Sequence, residues 1–133
     1  MGLNDQQFIA EFEACTLDPK CFSHVGHLRL GWLYLDAYPL EVAVQKVTTG
    51  IAKYASALGV TDKFQYTLTQ AALMIIYARK QQGSSQDFNG FLEQNPDLVN
   101  DMMGVLLRHY SADVLSSALA KSQFVAPDLK LFG

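Results

Sequence analysis

The chain has 133 residues, half of them hydrophobic and 17% charged, with a formal net charge of −3. That length suits one ordinary domain, and the composition is globular, not disordered. No cluster of Lys and Arg offers the phosphate contacts a nucleic-acid surface needs, and the longest apolar run, Ala71 to Ala78, is eight residues, far short of the roughly 20 that cross a bilayer.

The start of the chain lacks the basic and apolar segments of a secretory signal, and Gln6 stands where a myristoylation signal at Gly2 wants Ser or Thr. Cys15 and Cys21, with Pro19 between them, form neither a CxxC pair nor a disulfide framework. They read as reduced thiols of a cytoplasmic protein, with ligation of a metal beside His24 as the lesser alternative.

Helical signals follow one another along the chain. Asn4 caps a helix over about Asp5 to Ala14, with Phe8, Ile9 and Phe12 as its buried edge, and the Asp18–Pro19 pair makes a turn. The stretch from Phe22 to Tyr38 is a second helix, opened by Ser23 and stopped before Pro39. It is apolar nearly all round, which places it in the interior of a bundle. Pro39 begins a third, amphipathic helix with a stripe of Leu40, Val44, Val47, Ile51, Tyr54, Ala55 and Leu58, ended by Gly59.

After a loop over Val60 to Gln65, the uncharged run Phe64 to Ala78 forms a second interior helix with Thr67 as its cap. Arg79 to Gln86 reads as a polar surface loop, and a short helix packs Phe88, Phe91 and Leu92. Asn95 and Pro96 restart the helix, with a stripe of Val99, Met102, Met103, Leu106 and Tyr110 and with His109 at its edge. Ser111 caps a last helix carrying Val114, Leu115 and Leu119, and an extended tail is pinned by Phe124, Val125 and Leu129. No repeat and no period-two alternation is present. The expectation is an all-α, single-domain bundle of six to seven helices over residues 1–133, with two apolar interior helices.

Chemistry concentrates on His24 and His27, three residues apart and so on one helix face. Neutral imidazoles at a helix start are metal-ligand types, but two of them make half a site, and no third or fourth ligand follows at local spacing. Histidines that hydrogen-bond their neighbours are the simpler reading. Arg29, the only cation on this helix, finds either a structural partner (Asp36 or a neighbouring helix end) or an anionic ligand. Met102 and Met103 read as packing residues. Ser84 and Ser85 have no motif that would bring a base to them, and there is no glycine-rich phosphate loop.

The motif Phe22-x-His24-x-x-His27-Leu28-Arg29-x-x-Trp32-x-Tyr34-Leu35 resembles the start of an uncharacterised family of small bacterial helical proteins. Thr67-x-Thr69, Asn95-Pro96-Asp97-Leu98, Tyr110-Ser111 and Phe124-Val125-x-Pro127-Asp128 follow in the family's order, so the resemblance spans about Phe22 to Leu129. The family pattern reads Tyr-His-Glu-Thr before the first Thr, which implies a His- and carboxylate-containing site between the interior helices. Here Gln65 stands in the place of that His and Tyr66 in the place of the Glu, and neither is a good transition-metal ligand.

The expected site is thus a small pocket where the start of the second helix meets the Phe64–Thr69 turn. His24, His27, Gln65 and Tyr66 would be its polar groups and Trp32 its wall. The expected function is small-molecule binding. Metal-assisted catalysis through His24 and His27, or a helical interaction module without ligand, are the alternatives. Neither nucleic acid nor membrane is an expected partner.

Overall fold

Capping decides where most helices of this protein begin and end. The computed structural model describes residues 3–84 and 87–132. Gly2, the Ser85–Gln86 part of the expected polar loop and the terminal Gly133 lie outside the described residues. The chain is all-α, with nine α-helices and no strand among the described residues. It forms two compact units, Met1–Phe64 and Gln65–Gly133, taken here in turn.

In the first unit, α1 spans Asp5–Glu13 and opens on a full capping box, in which Asn4 and Gln7 each bond the other's backbone N–H. Phe8 and Phe12 are its buried residues, while Ile9 is half-buried. The helix ends with the Thr16 N–H donating to the Glu11 carbonyl at 2.9 Å, which requires the intervening Cys15 to take a left-handed φ of 61°. A Pro19–Cys21 3-10 turn follows, and then α2 over His24–Ala37, capped by the Ser23 side chain. Six of its residues are buried, from Gly26 to Tyr34. Arg29 takes the structural partner: it donates to Asp5 and to the Leu3 carbonyl, both at 2.8 Å, and lies over the Phe8 ring.

The third helix, α3, runs Leu40–Leu58 and packs against both α1 and α2. It stops because Gly59 adopts a φ of 73°, which costs a residue without Cβ nothing. Its buried residues are Ala43, Val47, Thr48, Tyr54 and Ala55, so the stripe is turned from the one expected: Leu58 is exposed and Thr48 is inside. Thr48 is tolerated there because its hydroxyl donates back to the Val44 carbonyl at 2.7 Å. A Thr61–Lys63 3-10 turn against α3 closes the unit.

The second unit begins with α4, Tyr66–Gln82. Gln65 caps it, accepting from Leu68 N–H at 2.6 Å, and Thr67 lies within the helix. The helix also runs four residues past the expected end at Ala78, since Arg79, Lys80 and two glutamines are good helix formers and only Gly83 stops them. Arg79 is therefore a helix residue and not part of a loop. It makes a two-pronged bond to Asp97 at 2.9 and 3.0 Å and donates to Asn95 at 2.8 Å, which gives the Asn95-Pro96-Asp97 motif a structural role.

Five short helices follow: α5 (Phe88–Gln94), α6 (Pro96–Asn100), α7 (Met102–Leu106), α8 (Ala112–Leu115) and α9 (Ala118–Ser122). Two expected helices are each split by a side chain that caps the next turn. Asp101 accepts from Gly104 N–H and Ser117 from Ala120 N–H. Each break shifts the phase of burial. Leu98 and Val105 join Leu106 and Tyr110 inside while Met103 is exposed, and Ala120 replaces the exposed Leu119. Helices α9 and α7 pack on α4. The tail is held through its backbone: Tyr110 Oη donates to the Val125 carbonyl at 2.6 Å, and the Leu129 N–H donates to the His109 carbonyl at 2.9 Å. The Leu129 side chain itself is exposed.

Candidate functional site

Residues between the first two helices build a cleft in the first unit. Asp18 caps the Pro19–Cys21 turn by accepting from Lys20 N–H at 2.9 Å, and the chain then enters α2 at once. The first turn of α2 lies so close to that turn that a Cβ on Gly26 would stand 2.5 Å from the Cys21 carbonyl oxygen. Glycine is what lets the two backbones meet. The approach brings Phe22 onto His27 as a stacked pair, with ring centroids 3.8 Å apart and planes 17° from parallel. Phe22 also meets Tyr54 edge-on at 5.1 Å and Phe12 at 5.6 Å, so the imidazole rests on the aromatic core. Tyr54 is itself fixed, its buried hydroxyl donating to the Leu17 carbonyl at 2.7 Å.

The hydrogen bonding of His27 defines its tautomer. Nδ1 lies 2.8 Å from the Ser23 carbonyl oxygen, which can only accept, so Nδ1 carries the proton. A neutral ring then keeps its lone pair on Nε2. Burial lowers the pKa below the ordinary imidazole value, the Ser23 hydrogen bond opposes the shift, and the neighbouring His24 adds to it. The residue as a whole is exposed, and the stacked phenyl ring explains how one face nonetheless loses its water. The shift favours the neutral form of His27.

His27 opens onto a cavity of about 460 Å³ whose walls include Phe22, Ile51, Tyr54, Lys63 and Phe64. That volume lies within the range of small-molecule sites, and the lining is apolar apart from a few polar groups, the usual composition of such a site. A second cleft of about 440 Å³, lined in part by Glu13, Tyr34, Lys46 and Lys53, is more polar. In it the Tyr34 hydroxyl donates to the Glu13 carboxylate, and burial together with that carboxylate raises the Tyr34 pKa.

The residues singled out from the sequence fall in both units. His24 is exposed at the start of α2. Trp32 is buried further along the same helix. Gln65 and Tyr66 begin α4 in the second unit. The Gln65 amide caps that helix and donates to the Leu115 carbonyl at 2.6 Å, and Tyr66 is half-buried. Of the cleft lining, sequence reasoning named His27 and the turn that begins at Phe64, and it left out Phe22, Tyr54, Lys63 and the other lining residues of α3.

Among the described residues, no three His, Cys, Asp or Glu side chains gather as a metal ion would require. No described helix is long and apolar enough to cross a membrane. The chain matches no family model, no curated protein and no solved structure, so the site is read from its own atoms.

Proposed function

We propose that this protein binds an apolar small molecule in the cleft between the Pro19–Cys21 turn and α3, with His27 Nε2 as its polar anchor. One observation carries the reading: His27, whose Nδ1 proton is committed to Ser23 so that Nε2 is left as an acceptor, is one of the few polar residues lining an apolar cavity. A ligand with one N–H or O–H donor on an apolar body complements such a site. The free thiols of Cys15 and Cys21 suit a reducing, cytoplasmic setting. Metal-assisted catalysis has two imidazoles and no third ligand beside them among the described residues, so binding is the better-supported reading.

The test uses N-phenyl-1-naphthylamine, a neutral aromatic whose fluorescence rises in apolar surroundings and whose N–H can donate to Nε2. We expect saturable binding to one site, abolished by Leu58→Trp, which fills the cleft from an exposed lining position. His27→Phe keeps the stack and removes the acceptor, and should weaken the probe by about threefold to tenfold, the range of one hydrogen bond. Binding unaffected by Leu58→Trp would place the probe elsewhere and overturn the proposal.

A further inference from the structure

Resting on that reading, we infer that the cleft exchanges one class of apolar ligand for another as His27 gains a proton. Molecules with an N–H or O–H donor bind the neutral ring, and ketones or esters, which carry only acceptors, bind the protonated one. The hydrogen bond to Ser23 sets this up. Nδ1 lies 2.8 Å from the Ser23 carbonyl oxygen, and a carbonyl has no proton to give, so Nδ1 keeps its own in both states of the ring. The added proton can go only to Nε2. The atom that accepts from a ligand when the ring is neutral then donates to it.

The rest of the lining leaves that change to the imidazole. The Pro19–Cys21 turn contributes only Pro19, and from α3 the one titratable residue is Tyr54, whose hydroxyl proton is committed to the Leu17 carbonyl. The Thr61–Lys63 turn contributes Lys63, and His24 is the titratable neighbour on α2 itself. Among the described residues no Asp or Glu lines the cleft, so a positive imidazole meets no carboxylate there. Burial outweighs the Ser23 bond and sets the exchange below the ordinary imidazole value of 6.5. Linkage makes the effect reciprocal: a donor ligand lowers the His27 midpoint further, and an acceptor ligand raises it.

The experiment compares two neutral probes on the full chain, well above and well below the His27 midpoint that ring-proton NMR shifts locate. N-phenyl-1-naphthylamine is read by its own fluorescence, and 1-naphthyl phenyl ketone by displacing it. The two carry the same ring systems, joined by an N–H in one and by a carbonyl in the other. Below the midpoint we expect the amine to bind about threefold to tenfold more weakly, and the ketone to bind more tightly by a similar factor. His27→Phe keeps the stack and cannot titrate, so each probe should bind it equally at the two pH values. In the wild type the amine should lower the His27 midpoint and the ketone should raise it. Affinities that do not change across the midpoint, a pH dependence that survives in His27→Phe, or unfolding before His27 titrates would overturn the exchange and leave the cleft as a binding site. Failure of both probes to bind at either pH would overturn the binding reading and this inference together.

Discussion

The Thr67 hydroxyl oxygen accepts the Val125 backbone N–H at 3.0 Å, tying the tail to the first turn of α4. The same hydroxyl donates to the Gln123 carbonyl at 2.8 Å, so one fully buried side chain satisfies two backbone groups more than fifty residues away. Replacing it with the isosteric Val leaves a donor and an acceptor without partners. Thr67→Val should destabilise the protein by about 1–3 kcal/mol, the cost of buried unsatisfied groups. Hydrogen exchange should show the Val125 amide losing its protection, and an unchanged exchange rate there would contradict the assignment.

The Arg79–Asp97 pair makes a prediction about acid. The Arg79 guanidinium bonded to Asp97 holds this carboxyl below its ordinary value. An acid whose native pKa is depressed adds stability that is complete above its unfolded value, near 3.8, and is lost as pH falls through the lower native one. Asp97→Asn should therefore be less stable than wild type at pH 7, by about 1 kcal/mol for so partly exposed a pair. The difference should shrink as both proteins are acidified below pH 4. Urea unfolding at several pH values checks this, and a constant difference would mean that the charge of Asp97 contributes nothing.

The Phe22 ring stacked on His27 makes a prediction about its proton. An NMR titration of the wild type should give His27 a midpoint below the ordinary 6.5. Phe22→Ala returns water to the stacked face and should move that midpoint upward. The sign for stability follows. Between the lowered native value and 6.5 the unfolded chain holds a proton that the native one does not, so His27 makes the protein less stable as pH falls through that window. A midpoint that stays put in Phe22→Ala would show that the stack is not what keeps the ring dry.

Cys15 occupies a backbone position that glycine usually fills, with a φ of 61° directly after α1. A side chain there costs roughly 1–2 kcal/mol. Cys15→Gly relieves that strain but enlarges the freedom of the unfolded chain, which takes back about 0.4–1 kcal/mol. The net expectation is a small gain in stability in chemical denaturation. A loss would mean that the thiol makes up for the backbone strain through its packing.

Helix ends were legible wherever a strong local signal acted alone. Asn4, Ser23 and Gly59 each stand where an accepting side chain or a left-handed φ is needed, and each does that work. Thr67 shows the limit. Thr is a much better cap than Gln by local preference, yet Gln65 caps α4 because its amide can also reach Leu115, while Thr67 is drawn inward by the tail. Both partners lie about fifty residues away, beyond any window of the sequence.

The same distinction holds at the site. The spacing of His24 and His27 was visible, but their inequality was not. Only the fold shows that Phe22 stacks on His27 and that the Ser23 carbonyl fixes its tautomer. The cleft was not legible either, because its apolar lining is assembled from three separate segments of the chain.

The Phe22–His27 stack also gives the cleft a magnetic signature. A phenyl ring lying nearly parallel to an imidazole at 3.8 Å puts the imidazole's carbon-bound protons in its shielding zone, so they resonate upfield of those in an unstacked histidine. Displacement of the phenyl ring by an entering molecule would remove that shielding. The cleft thus carries its own label, in two adjoining rings, and occupancy can be followed at natural abundance without attaching anything to the protein.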